Sequence, residues 1–249
     1  MPLFEIAGVH KAFGGIRALN GVDLSITTTG TYGLIGPNGA GKTTLFDIIT
    51  GLQAPEHGTI TFDDRDITGW SAHRLHALGV VRTFQECRVF PEKTCLENML
   101  FAVQKKPLAA AIGQAFWRST AHLRAGVDEA RRLLDLVRLS QYEDHPADAL
   151  SFGQKRLLEL ATIYMRQPRL LLFDEPASGV NPALLDTLRT FILRMREEQD
   201  ALLILVEHNM EFIMDVSDHI VVMHQGAVLE EGAPDTVQSS QRVIDAYLG

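Results

Sequence analysis

The run Gly36-Pro37-Asn38-Gly39-Ala40-Gly41-Lys42-Thr43-Thr44 constrains this chain more than any other. Gly36, Gly41, Lys42 and Thr43 fill every fixed position of the pattern G-x-x-x-x-G-K-[ST], which marks a phosphate-binding loop. A backbone that wraps its N–H groups around phosphates needs residues whose side chains do not block the approach. Lys42 puts a cation near the β- and γ-phosphates, and Thr43 offers a hydroxyl to Mg²⁺. The flanks agree: residues 31–35 read as a short strand, and residues 44–49 carry helical apolar spacing that ends at Gly51. The helix adds its positive N-terminal end to the loop.

A chain of 249 residues suffices for one large α/β domain or for a domain with a sub-domain. The net charge of −8 argues against a nucleic-acid partner but not against a nucleotide, because backbone dipoles and one lysine dominate a phosphate site. Two cysteines, Cys87 and Cys95, are too few for a disulfide framework or a zinc site. No basic-then-apolar leader is visible at the start. No stretch approaches the ~20 apolar residues that span a bilayer. The nearest, Leu108 to Trp117, is short and interrupted by Gly113 and Gln114. Any membrane role is therefore expected to run through a partner.

Residues 3–35 read as strand-rich, with turns at Gly14-Gly15 and Gly30, and residues 58–62 and 79–84 read as further strands. From about 94 to 140 the pattern is helical. Strand character returns at 170–173, 201–206 and 219–223, with helices between. Alternating strands and helices around a phosphate loop predict a mainly parallel sheet covered by helices. The helical block is expected to be an insertion between two halves of one core.

Two further motifs carry chemistry. Leu170 to Phe173 reads as a buried central strand that delivers Asp174 and Glu175 at its end. One carboxylate suits Mg²⁺ and the next suits a general base for water. Leu150-Ser151-Phe152-Gly153-Gln154 contains S-x-x-Q, a helix capping box, ahead of the apolar face Leu157, Leu160, Ala161, Tyr164 and Met165. A serine and a glycine at a helix start also suit an anion.

With these motifs the chain resembles the ABC ATPase family over nearly its whole length. Gly36 to Thr44 resembles the Walker A loop, Leu170 to Glu175 the Walker B strand with its glutamate, and Leu150 to Gln154 the signature. Gln85 after Val81-Arg82-Thr83-Phe84 resembles the Q-loop glutamine, and His208 the switch histidine. Residues 177–181 resemble the D-loop, and Phe13 stands where the family places an aromatic ring against adenine. The resemblance implies an α/β P-loop NTPase core with an N-terminal antiparallel β region and an inserted helical sub-domain. It implies one ABC ATPase domain, with 1–87 and 150–249 as catalytic core and 88–149 as the insertion. Arg82-Thr83-Phe84-Gln85, Phe90-Pro91, residues 175–182 and the ending Ala246-Tyr247-Leu248-Gly249 are similar to the ATPase subunits of branched-chain amino-acid importers. Phe152 in place of a signature glycine, Asn181 in the D-loop, Lys155 and Thr162 depart from the general pattern.

The resemblance also implies roles. ATP would lie on Phe13, Gly36, Asn38, Gly39, Ala40, Gly41, Lys42, Thr43 and Thr44, with Ser151, Gly153 and Gln154 supplied by a second ATPase subunit in a head-to-tail dimer. Thr43, Gln85 and Asp174 would serve Mg²⁺, and Glu175, His208, Gln85 and Lys42 would serve catalysis. The second subunit is either the same chain or a paralogue. Membrane permease subunits would dock near residues 88–101 at the cytoplasmic face of the membrane, served indirectly by a periplasmic or surface solute-binding protein. Phe90, Leu96 and Met99 either line that docking groove or pack the helical block. Importers of urea or short amides, and a non-transport ABC ATPase, are the alternatives.

Overall fold

Strand pairing sets the architecture. The computed structural model describes residues 2–84, 86–103 and 116–248, which fall into two compact units. The first comprises Met1–Thr83, Pro168–Pro176 and Arg196–Gly249. In it β1 (Phe4–Phe13), β2 (Ile16–Ile26), β4 (His57–Phe62) and the two-residue β5 (Arg65–Asp66) form an antiparallel sheet in the order β2-β1-β4-β5. A six-stranded sheet runs β10-β9-β3-β8-β7-β6, from β3 (Gly30–Ile35), β6 (Val80–Arg82), β7 (Leu170–Asp174), β8 (Leu202–Val206), β9 (His219–His224) and β10 (Ala227–Gly232). Only the β9–β10 pair is antiparallel among its described pairings. All five residues of β7 and of β8 are buried, as expected for central parallel strands covered on both faces.

The core of this unit draws on both sheets and on α1 (Lys42–Ile49). Phe4, Ile6 and Phe62 from the antiparallel sheet, Leu45 and Phe46 from the helix, and Leu172 and Ile204 from the parallel sheet belong to one buried cluster. Residues 79–84 shorten to Val80–Arg82, an edge strand with a single partner. The helix α1 ends at Thr50, whose hydroxyl bonds the Phe46 carbonyl at 2.7 Å, with Gly51 following at positive φ. Four elements lie outside the sequence expectation: the short β5 and α8 (Pro234–Gln238), α2 (Ala72–Leu78), which buries only Leu75, and the half-buried hairpin strand β10. The α7 helix (Met210–Val216), α8 and α9 (Gln241–Leu248) complete the unit.

The second unit comprises Phe84–Gln167 and Ala177–Met195. Helices α3 (Cys95–Val103), α4 (Phe116–Leu136) and α5 (Phe152–Tyr164) pack together, followed by most of α6 (Pro182–Glu198). The apolar face expected on α5 is buried throughout. Met99 is fully buried and so packs the helical unit, while Phe90 is 59% exposed, its ring 5.7 Å from that of Phe101. Most of the stretch Leu108 to Trp117 lies outside the described residues. Among the described helices none is long and apolar enough to cross a membrane.

Candidate active site

The strands β3, β8 and β7 end side by side, because Leu34 pairs with Val206 and Val206 with Asp174. Gly36, Glu175 and the pair Glu207-His208 therefore emerge at one edge, the carboxyl end of a parallel sheet where ligands bind.

The loop Gly36–Thr44 is built on close backbone approach. Gly36 has φ near +150°, and a Cβ there would overlap the Met223 carbonyl oxygen. Gly41, at the start of α1, has φ near +103°, and its Cβ would stand 2.5 Å from the Ala18 carbonyl oxygen. Only glycine fits either place. The Ala40 N–H donates to the Pro37 carbonyl at 3.1 Å, closing the turn. Lys42 is 7% exposed, and its Nζ donates to the carbonyls of Gly36 at 2.6 Å and Pro37 at 3.1 Å. Burial pushes the amine below the ordinary lysine range, and the Glu175 carboxylate pulls it partly back.

Glu175 follows β7 in the left-handed region, with φ near 49°, where a non-glycine residue is held only by its surroundings. Its N–H donates to the Val206 carbonyl at 2.9 Å, tying the turn after β7 to the end of β8. Its Oε1 lies 3.1 Å from His208 Nε2. The His208 N–H in turn donates to Glu207 Oε2 at 3.0 Å, and Glu207 is itself buried. Asp174 is 7% exposed; its Oδ2 accepts from Arg82 Nη2 at 2.7 Å, and its N–H donates to Thr83 Oγ1 at 3.0 Å.

A cleft of about 420 Å³ opens at this edge, lined by residues 38–44, Glu175, Val206 and His208 together with Ile16, Arg17 and Ala18 of β2; Gly36 and Asp174 stand behind its lining. The structure thus brings together the loop residues, Glu175 and His208. Phe13 does not line the cleft; it sits across the hairpin from Ile16, 46% exposed, with the Lys11 ammonium 5.4 Å from its ring centre. The β2 residues escaped sequence reading because register, and not motif, delivers them. Ser151, Gly153 and Gln154 belong to the helical unit. There the Ser151 N–H donates to Gln154 Oε1 at 2.9 Å and the Gln154 N–H to Ser151 Oγ at 3.4 Å, the expected capping box. Ser151 is exposed and Gly153 is buried against Leu184. Gln85 lies outside the described residues.

Among the described residues no three His, Cys, Asp or Glu side chains gather into a metal cage. A hydroxyl at Thr43 and a carboxylate at Asp174 are nevertheless the hard oxygen donors that suit Mg²⁺, which takes one or two protein ligands beside water and substrate phosphates.

A family model described as "ABC transporter" matches residues 19–178. The high-affinity branched-chain amino acid transport ATP-binding protein BraF of Pseudomonas aeruginosa is 40% identical over 251 residues, covering 100% of this chain and 98% of that protein. The corresponding LivG protein of Escherichia coli is 37% identical over 251 residues, with the same coverage of 100% and 98%. A crystal structure of a nucleotide-free ATP-binding cassette from an ABC transporter superposes with a TM-score of 0.81 at 30% identity, covering 100% of both chains. A cassette crystallised in its ADP conformation matches with the same score and identity, covering 100% of this chain and 99% of that one.

Proposed function

Because the chain belongs to the ABC transporter family, we propose that it is the ATP-binding and ATP-hydrolysing subunit of an importer for branched-chain amino acids. The observation that carries the reading is the Glu175–His208 contact beside a cleft lined by phosphate-loop residues. Likeness over the full length to BraF and LivG supports the solute class over urea or short amides.

Backbone N–H groups of residues 38–44 bind the phosphates, and Lys42 exchanges its loop carbonyls for phosphate oxygens of ATP. Thr43, Asp174 and Gln85 would hold Mg²⁺, which when bound would supply positive charge to the phosphoryl oxygens. Glu175 takes the proton of the attacking water, and His208 orients that carboxylate and meets the γ-phosphate. Phe13 packs toward adenine beside Ile16. Ser151, Gly153 and Gln154 of a second ATPase subunit, the same chain or a paralogue, complete the cage in a head-to-tail pair. Residues 1–87 and 150–249 act as catalytic core, and 88–149 as the helical sub-domain that faces membrane permease subunits through exposed Phe90. The subunit works at the cytoplasmic face of the membrane, and a periplasmic or surface solute-binding protein acts on it indirectly.

The test is Glu175→Gln. Loss of a positioned general base lowers turnover by about 10²- to 10⁴-fold, while ATP binding by the same variant persists. Near-wild-type hydrolysis would remove Glu175 from the base role.

A further inference from the structure

Arg82 ends β6 with its side chain 5% exposed, and its single guanidinium serves two carboxylates. Nη1 donates to Asp47 Oδ1 at 2.5 Å, and Nη2 donates to Asp174 Oδ2 at 2.7 Å. Asp47 lies on α1, the helix that starts at Lys42, and Asp174 ends β7. The guanidinium also lies 5.6 Å from the ring of Phe46 on the same helix. Thr83 adds a second tie: fully buried, it accepts the Asp174 N–H and donates its own N–H to the Leu172 carbonyl at 2.9 Å. Arg82, Asp47 and Asp174 all stand outside the cleft lining, directly behind Thr43 on α1 and Glu175 at the end of β7, which do line it; whatever the three contribute there passes through those two elements.

A planar guanidinium with fixed N–H directions joins two carboxylates at once, which a lysine ammonium does not reproduce. Without it, Asp47 and Asp174, whose side chains are 28% and 10% exposed, would both lose the cation they share. We infer that Arg82 is a positioning residue for the nucleotide-bound metal. It locks Asp174 to α1, and therefore to Thr43 in the first turn of that helix. One oxygen of Asp174 is spent on the lock; Oδ1 accepts no hydrogen bond among the described residues. This assignment rests on the nucleotide site proposed above.

The experiment titrates a fluorescent ATP analogue onto the full chain, in EDTA and in Mg²⁺, for the wild type, Arg82→Met, Arg82→Lys and Asp47→Asn. The ratio of the two affinities is the metal increment. Outer-shell partners of metal ligands are worth about 10- to 100-fold in metal affinity, so the increment falls at least ~10-fold in Arg82→Met while the metal-free affinity stays within about two-fold. Arg82→Lys restores part of the increment. Asp47→Asn loses part of it, and adding Asp47→Asn to Arg82→Met loses nothing further, because the fork is already open. A purely structural role would lower both affinities together and leave the ratio alone. An unchanged increment in Arg82→Lys and Asp47→Asn, beside a wild type that shows one, overturns the inference and leaves the nucleotide site standing. A wild type without metal-dependent nucleotide binding overturns both.

Discussion

Lys42 sits between two effects of opposite sign. Its ammonium makes two charge-assisted hydrogen bonds to loop carbonyls, each worth about 1.5–3 kcal/mol. Its burial carries a desolvation penalty on the order of several kcal/mol. The two nearly cancel, so Lys42→Ala should change the stability of the nucleotide-free chain by only about 1 kcal/mol. With triphosphate present the balance breaks, because a phosphate cluster repays the buried cation fully. Nucleotide affinity should then fall at least ~10-fold, or about 1.4 kcal/mol. Equilibrium denaturation and nucleotide titration of the same variant check both halves. Cys95 offers a second residue-scale test. It is fully buried, and burial raises its thiol from 9.0 to about 11. On raising the pH, the unfolded thiol ionises first, so Cys95 leaves stability untouched below pH 9 and lowers it progressively between 9 and about 11. Denaturation midpoints at pH 8 and 10.5 should converge more closely in Cys95→Ser than in the wild type; equal slopes would place the alkaline loss elsewhere.

At the scale of elements, α5 shows both what a pattern reveals and what it hides. Its capping box and apolar face are legible because both are local, set by spacing along one helix. The ion pair inside it is not. Arg156 is fully buried, donating to Glu159 Oε2 at 2.8 Å and to the Phe84 carbonyl at 2.6 Å, while Glu159 Oε1 accepts the Arg88 N–H at 3.0 Å. Burial pushes the Glu159 carboxyl up, against the pull of the Arg88 N–H and of Arg156. An Arg and a Glu three residues apart on a helix read as a solvated surface pair; only packing turned them inward. Removing one member of a buried pair costs about 3–5 kcal/mol, whereas replacing both with apolar residues is often neutral. Glu159→Leu should therefore destabilise the chain far more than Arg156→Met/Glu159→Leu, and chemical denaturation of the pair of variants decides. The helix α2 escaped the sequence reading for the opposite reason. It buries one leucine, so it leaves almost no apolar period to find.

For the whole molecule, the prediction concerns a second copy. Ser151 is exposed at the N-terminus of α5, and each chain carries one signature and one phosphate loop. If Ser151 completes the nucleotide site of a second chain as proposed, Ser151→Arg should leave nucleotide binding by a single chain intact and block pairing, because the added side chain would enter that site. Mixed with Lys42→Ala, it should produce no more than the residual activity of either variant alone if both sites of a pair must close. Crosslinking and ATPase assays on the mixture measure this; normal pairing by Ser151→Arg alone would end the reading in trans.

The sequence by itself determined the class of chemistry. The loop Gly36–Thr44, the acidic strand end Asp174-Glu175 and the signature Ser151–Gln154 are contiguous runs, and their residue types follow from what phosphates, water and helix caps require locally. The parallel core was equally readable, because central strands buried on both faces must be apolar throughout. Only the tertiary structure decided which separate runs meet. Register between β3, β8 and β7 brings Gly36, Glu175 and His208 to one edge, and β2 adds Ile16, Arg17 and Ala18 to the same cleft. Arg82 reads as the charged end of a strand until Asp47 and Asp174, distant in sequence, close on either side of it. Such contacts have no period and no spacing along the chain, since long-range packing and charge compensation select them only after the strands have aligned.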